Sequence, residues 1–187
     1  MKIIVFGIPG VGKSTIVKKV IQSQNLQRIV WGDIVEQIAL EKDLVKNRDL
    51  IRKLNKTIQK ELQELVVKKL VLLSRNNNTV IETHAVIKTK FGFLPGLNLE
   101  FLKILKPDLF VVIEADPQSV FKRRIKDKTR MRDDDRDIAE IEFHLELTRQ
   151  FAVSFASIVG ANLSIIQNKE GKIEETANKL EEIIKNI

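Results

Sequence analysis

Cysteine is absent from this 187-residue chain. Its absence excludes a disulfide-stapled scaffold, a thiolate metal site and thiol catalysis, and makes the cytoplasm the expected compartment. No apolar run approaches the roughly 18 residues that a membrane helix needs, so no membrane span is expected. Only Ile3-Ile4-Val5-Phe6 follow Met1-Lys2, too short an apolar stretch for a signal peptide. No two His or Cys residues stand at ligand spacing, which removes zinc and iron centres. Repeats, linkers and low-complexity tracts are also missing, so one domain over residues 1–187 is expected.

Hydrophobic residues make up 43% of the chain, enough to bury a sizeable core. The length suits one α/β domain with room for a lid or small insert. Lys and Arg number 32 against 25 Asp and Glu, a net charge of +7. Such a balance favours anionic partners, and phosphorylated small molecules satisfy it as well as nucleic acid does.

Strand and helix patterns alternate along the chain. Residues 2–6, 28–31, 79–82, 109–114 and 162–167 read as five strands. Helical spacing marks 12–24, 34–41, 58–73, 99–105, 117–127, 137–160 and 173–187. Asp33 is a candidate cap for the helix after it, and the helical stretch 48–75 is expected to break near Asn55. Residues 83–98 read as a long loop containing Gly92, Pro95 and Gly96. Alternating strands and helices argue a parallel sheet covered on both faces.

Gly7-Ile8-Pro9-Gly10-Val11-Gly12-Lys13-Ser14 matches G-x-x-x-x-G-K-[ST] between a strand and a helix, as the mechanism of a phosphate loop requires. Glycines let the backbone wrap a phosphate with N–H groups pointing inward, and the helix adds its positive end. Lys13 reaches the β and γ phosphates, Ser14 offers a hydroxyl to Mg2+, and Thr15 supports the α phosphate. These residues predict nucleoside triphosphate binding with Mg2+ as cofactor.

Between Lys122 and Arg136 eight basic residues face four acidic ones, a net of +4. Phosphoryl transfer needs positive charge around the moving group and exclusion of water, and Arg grips phosphate oxygens in pairs. The segment is therefore expected to be a lid. No aromatic residue interleaves with its charges, so a stacking platform for nucleic acid is not expected. Glu82 ends an apolar strand, where an acid is costly to bury without a role.

Together these residues resemble the nucleoside monophosphate kinases, and more narrowly the archaeal-type adenylate kinases. The resemblance spans the whole chain. It is carried by the loop through Thr15, Gly32-Asp33, Arg48-Asp49, Arg52-Lys53-Leu54, Thr83-His84, Ile87-Lys88-Thr89, Leu94-Pro95-Gly96-Leu97, Arg123, Thr129-Arg130-Met131-Arg132-Asp133, Arg149, and Gln167-Asn168 with Gly171. It implies the reaction ATP + AMP ⇌ 2 ADP and a three-layer α/β P-loop fold. Its five-stranded parallel sheet would run in the order 2-3-1-4-5. It further implies an AMP-binding segment over about 32–75, a lid over about 127–137, and a homo-oligomer, often a trimer. Lys13, Arg123, Arg132 and Arg149 would act on the transferred phosphoryl group. Asp33, Arg48, Arg52 and His84 would form the AMP side, with His84 orienting the long loop after it. The family usually has Asp-Thr-His where this chain has Glu82-Thr83-His84. The acid would hold Mg2+ through water, and its extra methylene bears on rate more than on reaction type. Alternatives are a kinase for another monophosphate and a nucleotide-switched ATPase acting on RNA or ribosomes. A switch, however, has no second phosphate acceptor to receive Arg48 and Arg52.

Overall fold

Short apolar runs become a central sheet because its middle strands are covered on both faces. The computed structural model describes residues 1–46, 50–51, 54–75, 77–89, 92–126 and 137–187. In chain order the elements are β1 (Lys2–Phe6), α1 (Lys13–Ser23), β2 (Gln27–Val30), α2 (Trp31–Glu41), α3 (Lys56–Leu73), β3 (Thr79–Glu82) and β4 (Val86–Thr89). There follow β5 (Gly92–Pro95), α4 (Leu99–Leu105), β6 (Leu109–Glu114), α5 (Pro117–Lys126), α6 (Ile138–Val159), β7 (Asn162–Gln167) and α7 (Ile173–Lys185).

Five strands form one sheet in the order β2-β3-β1-β6-β7, every neighbouring pair parallel. Counted without β4 and β5, this is the expected 2-3-1-4-5. Alternation along β1 divides the core. Ile4 and Phe6 pack toward α2, α3, α4 and part of α6, whereas Ile3 and Val5 pack toward α1, α5 and α7. Each such fully buried side chain contributes about 1.5–3 kcal/mol, so the middle strands form the rigid floor for the loops at their carboxyl ends. Further ties from Lys19 to Glu174 and from Ser23 to Glu181 hold α1 against α7. No helix among the described residues is long and apolar enough to cross a membrane.

Two expectations need correction. The stretch 83–98 is not a plain loop. Val86, Ile87, Lys88 and Thr89 pair antiparallel with Pro95, Leu94, Phe93 and Gly92, and the Gly96 N–H donates to the Ala85 carbonyl at 2.7 Å. Strands of four residues are too short to show clear alternation, and the Gly and Pro residues masked them. Asp33 is not a helix cap either. Strand β2 passes directly into α2, whose N-cap is Val30 with no side-chain bond, and Asp33 lies in the first turn. There a carboxylate still complements the helix dipole. The expected break at Asn55 is an N-cap: its side chain accepts from the Ile58 N–H at 2.9 Å.

Candidate active site

The loop between β1 and α1 takes its shape from backbone conformations that disfavour side chains. Gly10 and Gly12 have φ of +94° and +90°, a region that costs an ordinary residue about 1–2 kcal/mol. A Cβ on Gly12 would also lie 2.5 Å from the Asn168 amide nitrogen.

Four side chains from distant elements bind carbonyls of this loop. His84 Nδ1 lies 3.0 Å from the Gly7 carbonyl. Arg124 Nε donates to the Pro9 carbonyl at 2.8 Å. Arg123 Nη1 donates to the Gly10 carbonyl at 3.3 Å, and Asn168 Nδ2 to the Val11 carbonyl at 2.8 Å. A trans peptide points its N–H opposite to its C=O. Pulling these carbonyls outward therefore turns the amides of Ile8, Gly10 and Gly12 the other way, as an anion cradle requires. A carbonyl can only accept, so His84 carries its proton on Nδ1 in this contact. Helix α1 begins at Lys13 with no side-chain cap, which suits an anion at its positive end.

Below the loop, the carboxyl ends of β1 and β3 bring Glu82 beneath Lys13 and Ser14. Glu82 pairs in register with Val5 on one side and Val30 on the other, and its side chain has no solvent exposure. The Ser14 hydroxyl donates to Glu82 Oε2 at 2.6 Å. Lys13 Nζ lies 3.5 Å from the same oxygen. Arg28 Nε donates to Oε1 at 2.6 Å. Three donors, two of them cationic, offset the cost of a buried carboxylate.

Two of the candidate arginines, Arg123 and Arg149, are held by acids. Arg123 also donates through Nη2 to Glu170 at 2.5 Å. Arg149, midway along α6, grips Glu114 with two bonds, Nε to Oε1 and Nη2 to Oε2, the second at 2.7 Å. The Glu114 carboxylate raises the already high pKa of that guanidinium. The nearby Glu146 carboxylate acts in the same direction through space.

The structure thus brings together Gly7, Ile8, Pro9, Gly10, Val11, Gly12, Lys13, Ser14, Glu82, His84 and Arg123 around one loop. Arg48, Arg52, Arg132 and the lid residues 127–136 lie outside the described residues. Sequence reasoning gave no role to Arg28, Glu114 or Asn168. Glu114 carried a usable signal, because it ends an apolar strand as Glu82 does. Arg28 was a cation inside a short apolar strand, and Asn168 was a marker of the family resemblance to which no role was given.

Comparison with known proteins agrees with this geometry. A family model described as an AAA domain matches residues 6–142. An adenylate kinase of Methanothermobacter thermautotrophicus is 37% identical over 182 residues, covering 97% of this chain and 98% of its own. That of Pyrococcus horikoshii is 41% identical over 185 residues, covering 97% and 94%. That of Thermoplasma volcanium is 37% identical over 185 residues, covering 99% and 100%. Among solved structures, the shikimate kinase of Acinetobacter baumannii, in complex with shikimate, superposes with a TM-score of 0.67 at 17% identity. It covers 99% of this chain and 93% of its own. The shikimate kinase of Bacteroides thetaiotaomicron gives 0.63 at 17% identity, covering 99% and 98%. These two likenesses concern the fold alone.

Proposed function

The chain belongs to the AAA-domain P-loop proteins and, among them, to the adenylate kinases, enzymes of the reaction ATP + AMP ⇌ 2 ADP; from this premise we propose how its own residues perform that reaction. The observation that carries the reading is the convergence of Lys13 and Ser14 on buried Glu82, beneath a loop whose carbonyls are tied outward. ATP places its phosphates against residues 7–15. Lys13 stabilises charge on the transferring group, and Arg123, Arg132 and Arg149 surround it. AMP takes the segment 32–75, with Asp33, Arg48, Arg52 and His84 on its side. The phosphate of AMP is already anionic, so the acceptor needs no general base. The lid over about 127–137 excludes water, and residues 1–187 act as one domain.

The donor set fits Mg2+. Ser14 and Glu82 present hard oxygen atoms, and a cation that keeps several waters needs only one or two protein oxygens. Ser14 would bind the metal, and Glu82 would hold its waters. When bound, the ion neutralises charge on the β and γ phosphates.

The enzyme works in the cytoplasm as a homo-oligomer, with a trimer suggested by its family. Exposed Leu99 and Ile104 on α4 and Val153 and Ile158 on α6 support self-association, because such apolar area favours a contact. A light-scattering mass of one chain would remove that part of the reading. The principal test is acceptor dependence. With ATP and Mg2+, ADP should form when AMP is added, and much more slowly with CMP, UMP or GMP. Equal ADP formation without a monophosphate would overturn the reading in favour of a simple ATPase.

A further inference from the structure

Among the described residues, the cluster under the phosphate loop contains one anion, Glu82, and two cations, Lys13 and Arg28. Both carboxylate oxygens are engaged, and they are divided. Oε2 faces Ser14 and Lys13, whereas Oε1 faces Arg28. Lys13 and Ser14 belong to the loop and must turn to the nucleotide when it arrives. Arg28 does not belong to the loop. It sits on β2, in register with Val80, and reaches diagonally to the acid two residues further along β3.

We propose that Arg28 is a positioning residue: it neutralises Glu82 so that the charge of Lys13 remains available to a polyphosphate. With Arg28 present the cluster carries a net +1, and the buried carboxylate stays compensated after Lys13 and Ser14 leave it. Without Arg28 the only cation in the cluster among the described residues is Lys13. A buried carboxylate that would lose its last counter-charge resists that loss, so Glu82 would keep Lys13 and compete with the incoming phosphate. The longer Glu side chain suits this arrangement, since it spans from the edge strand to the loop. This inference rests on ATP occupying the loop and does not require the metal role of Glu82.

The test measures ATP binding calorimetrically in EDTA, where Mg2+ plays no part. Four proteins are compared: wild type, Arg28→Met, Glu82→Gln, and the double variant. Arg28→Met should raise the Kd for ATP about tenfold, the scale of one charge-assisted contact. Glu82→Gln alone should leave the Kd unchanged or lower it. Adding Glu82→Gln to Arg28→Met should restore it, since the net +1 returns. A packing role for Arg28 on β2 would give no such reversal. Arg28→Gln, which keeps a planar donor without the charge, is the second variant and must show the same loss and the same reversal even if Arg28→Met does not fold.

A Kd unaffected by either Arg28 variant, or a loss that Glu82→Gln fails to reverse, would overturn the proposal. Failure of the underlying reading looks different: wild type itself would not bind ATP. Failure of the metal role is also separate, since Glu82→Gln would then leave the Mg2+ dependence of the rate unchanged while the EDTA result still held.

Discussion

The side-chain amide of Asn168 donates to the Val11 carbonyl at 2.8 Å across 157 residues of sequence. Asn168 is buried, and its own N–H donates to the Glu114 carbonyl at 2.7 Å. The turn after β7 thus braces the loop after β1. Asn168→Ala leaves that carbonyl without its donor and should cost about 1–3 kcal/mol, measurable by urea unfolding. Asn168→Asp keeps the shape but sets an anionic oxygen against a carbonyl, beside a site for polyphosphate. It should therefore raise the KM for ATP more than Ala does. Equal KM values for the two variants would mean that the brace affects stability alone.

Lys13→Ala removes the cation nearest the transferring phosphate. Ser14 and Arg28 still satisfy Glu82, so stability should change by less than about 1 kcal/mol. In contrast, kcat should fall by about two or more orders of magnitude, as for loss of one preorganised electrostatic donor. A folded variant with unchanged kcat would place this loop outside the chemistry.

The five strands of the sheet were legible because runs such as Leu109–Glu114 are apolar throughout, and the phosphate loop because its spacing is set by backbone geometry. What the sequence did not reveal has a common cause. Arg28 meets Glu82 only because β2 and β3, 54 residues apart along the chain at that contact, happen to be neighbours in a particular register. Arg149 meets Glu114 only because α6 crosses the end of β6. Local periodicity carries no information about such partners. Nor did it reveal β4 and β5, whose pairing is closed at its base by the bond from the Gly96 N–H to the Ala85 carbonyl and shows little alternation.

Arg149 is half exposed, while Glu114 is nearly sealed from solvent. Arg149→Ala strands that carboxylate. The loss of a fully buried pair partner costs about 3–5 kcal/mol, and solvent access on the arginine side reduces this to about 1–3 kcal/mol. Glu114→Gln added to Arg149→Ala should recover most of that stability but not the activity, since the cation is still missing from the phosphate side. Recovery of both would reduce Arg149 to a structural role. The pH dependence follows from sign. The folded-state pKa of Arg149 is raised, so its stabilisation is complete below the unfolded pKa and is lost only as pH rises through the folded one. Both lie far above the working pH range. The stability gap between wild type and Arg149→Ala should therefore stay constant from about pH 7 to pH 10.

Gly96 links the hairpin to the phosphate loop, and two glycine substitutions separate the reasons for its identity. A Cβ on Gly96 would lie 1.8 Å from the His84 carbonyl oxygen and 2.8 Å from its carbon. Both are backbone atoms with no rotamer to yield. His84 in turn contacts the Gly7 carbonyl. Gly96→Ala must therefore either separate the hairpin base from residues 84–85 or shift His84 away from the loop. The cost should reach or exceed the roughly 3 kcal/mol upper end of ordinary overpacking. Gly92, in the same hairpin, has φ of +113° but no described residue within 4 Å of its Cβ position. Gly92→Ala should thus cost only the backbone term, about 1–2 kcal/mol, and leave kcat near wild type. Thermal unfolding and steady-state rates for both variants decide the matter. If they lose similar stability, the close approach at Gly96 relaxes freely. If Gly96→Ala is strongly destabilised yet retains full kcat when folded, the contact from His84 to Gly7 does not shape the loop.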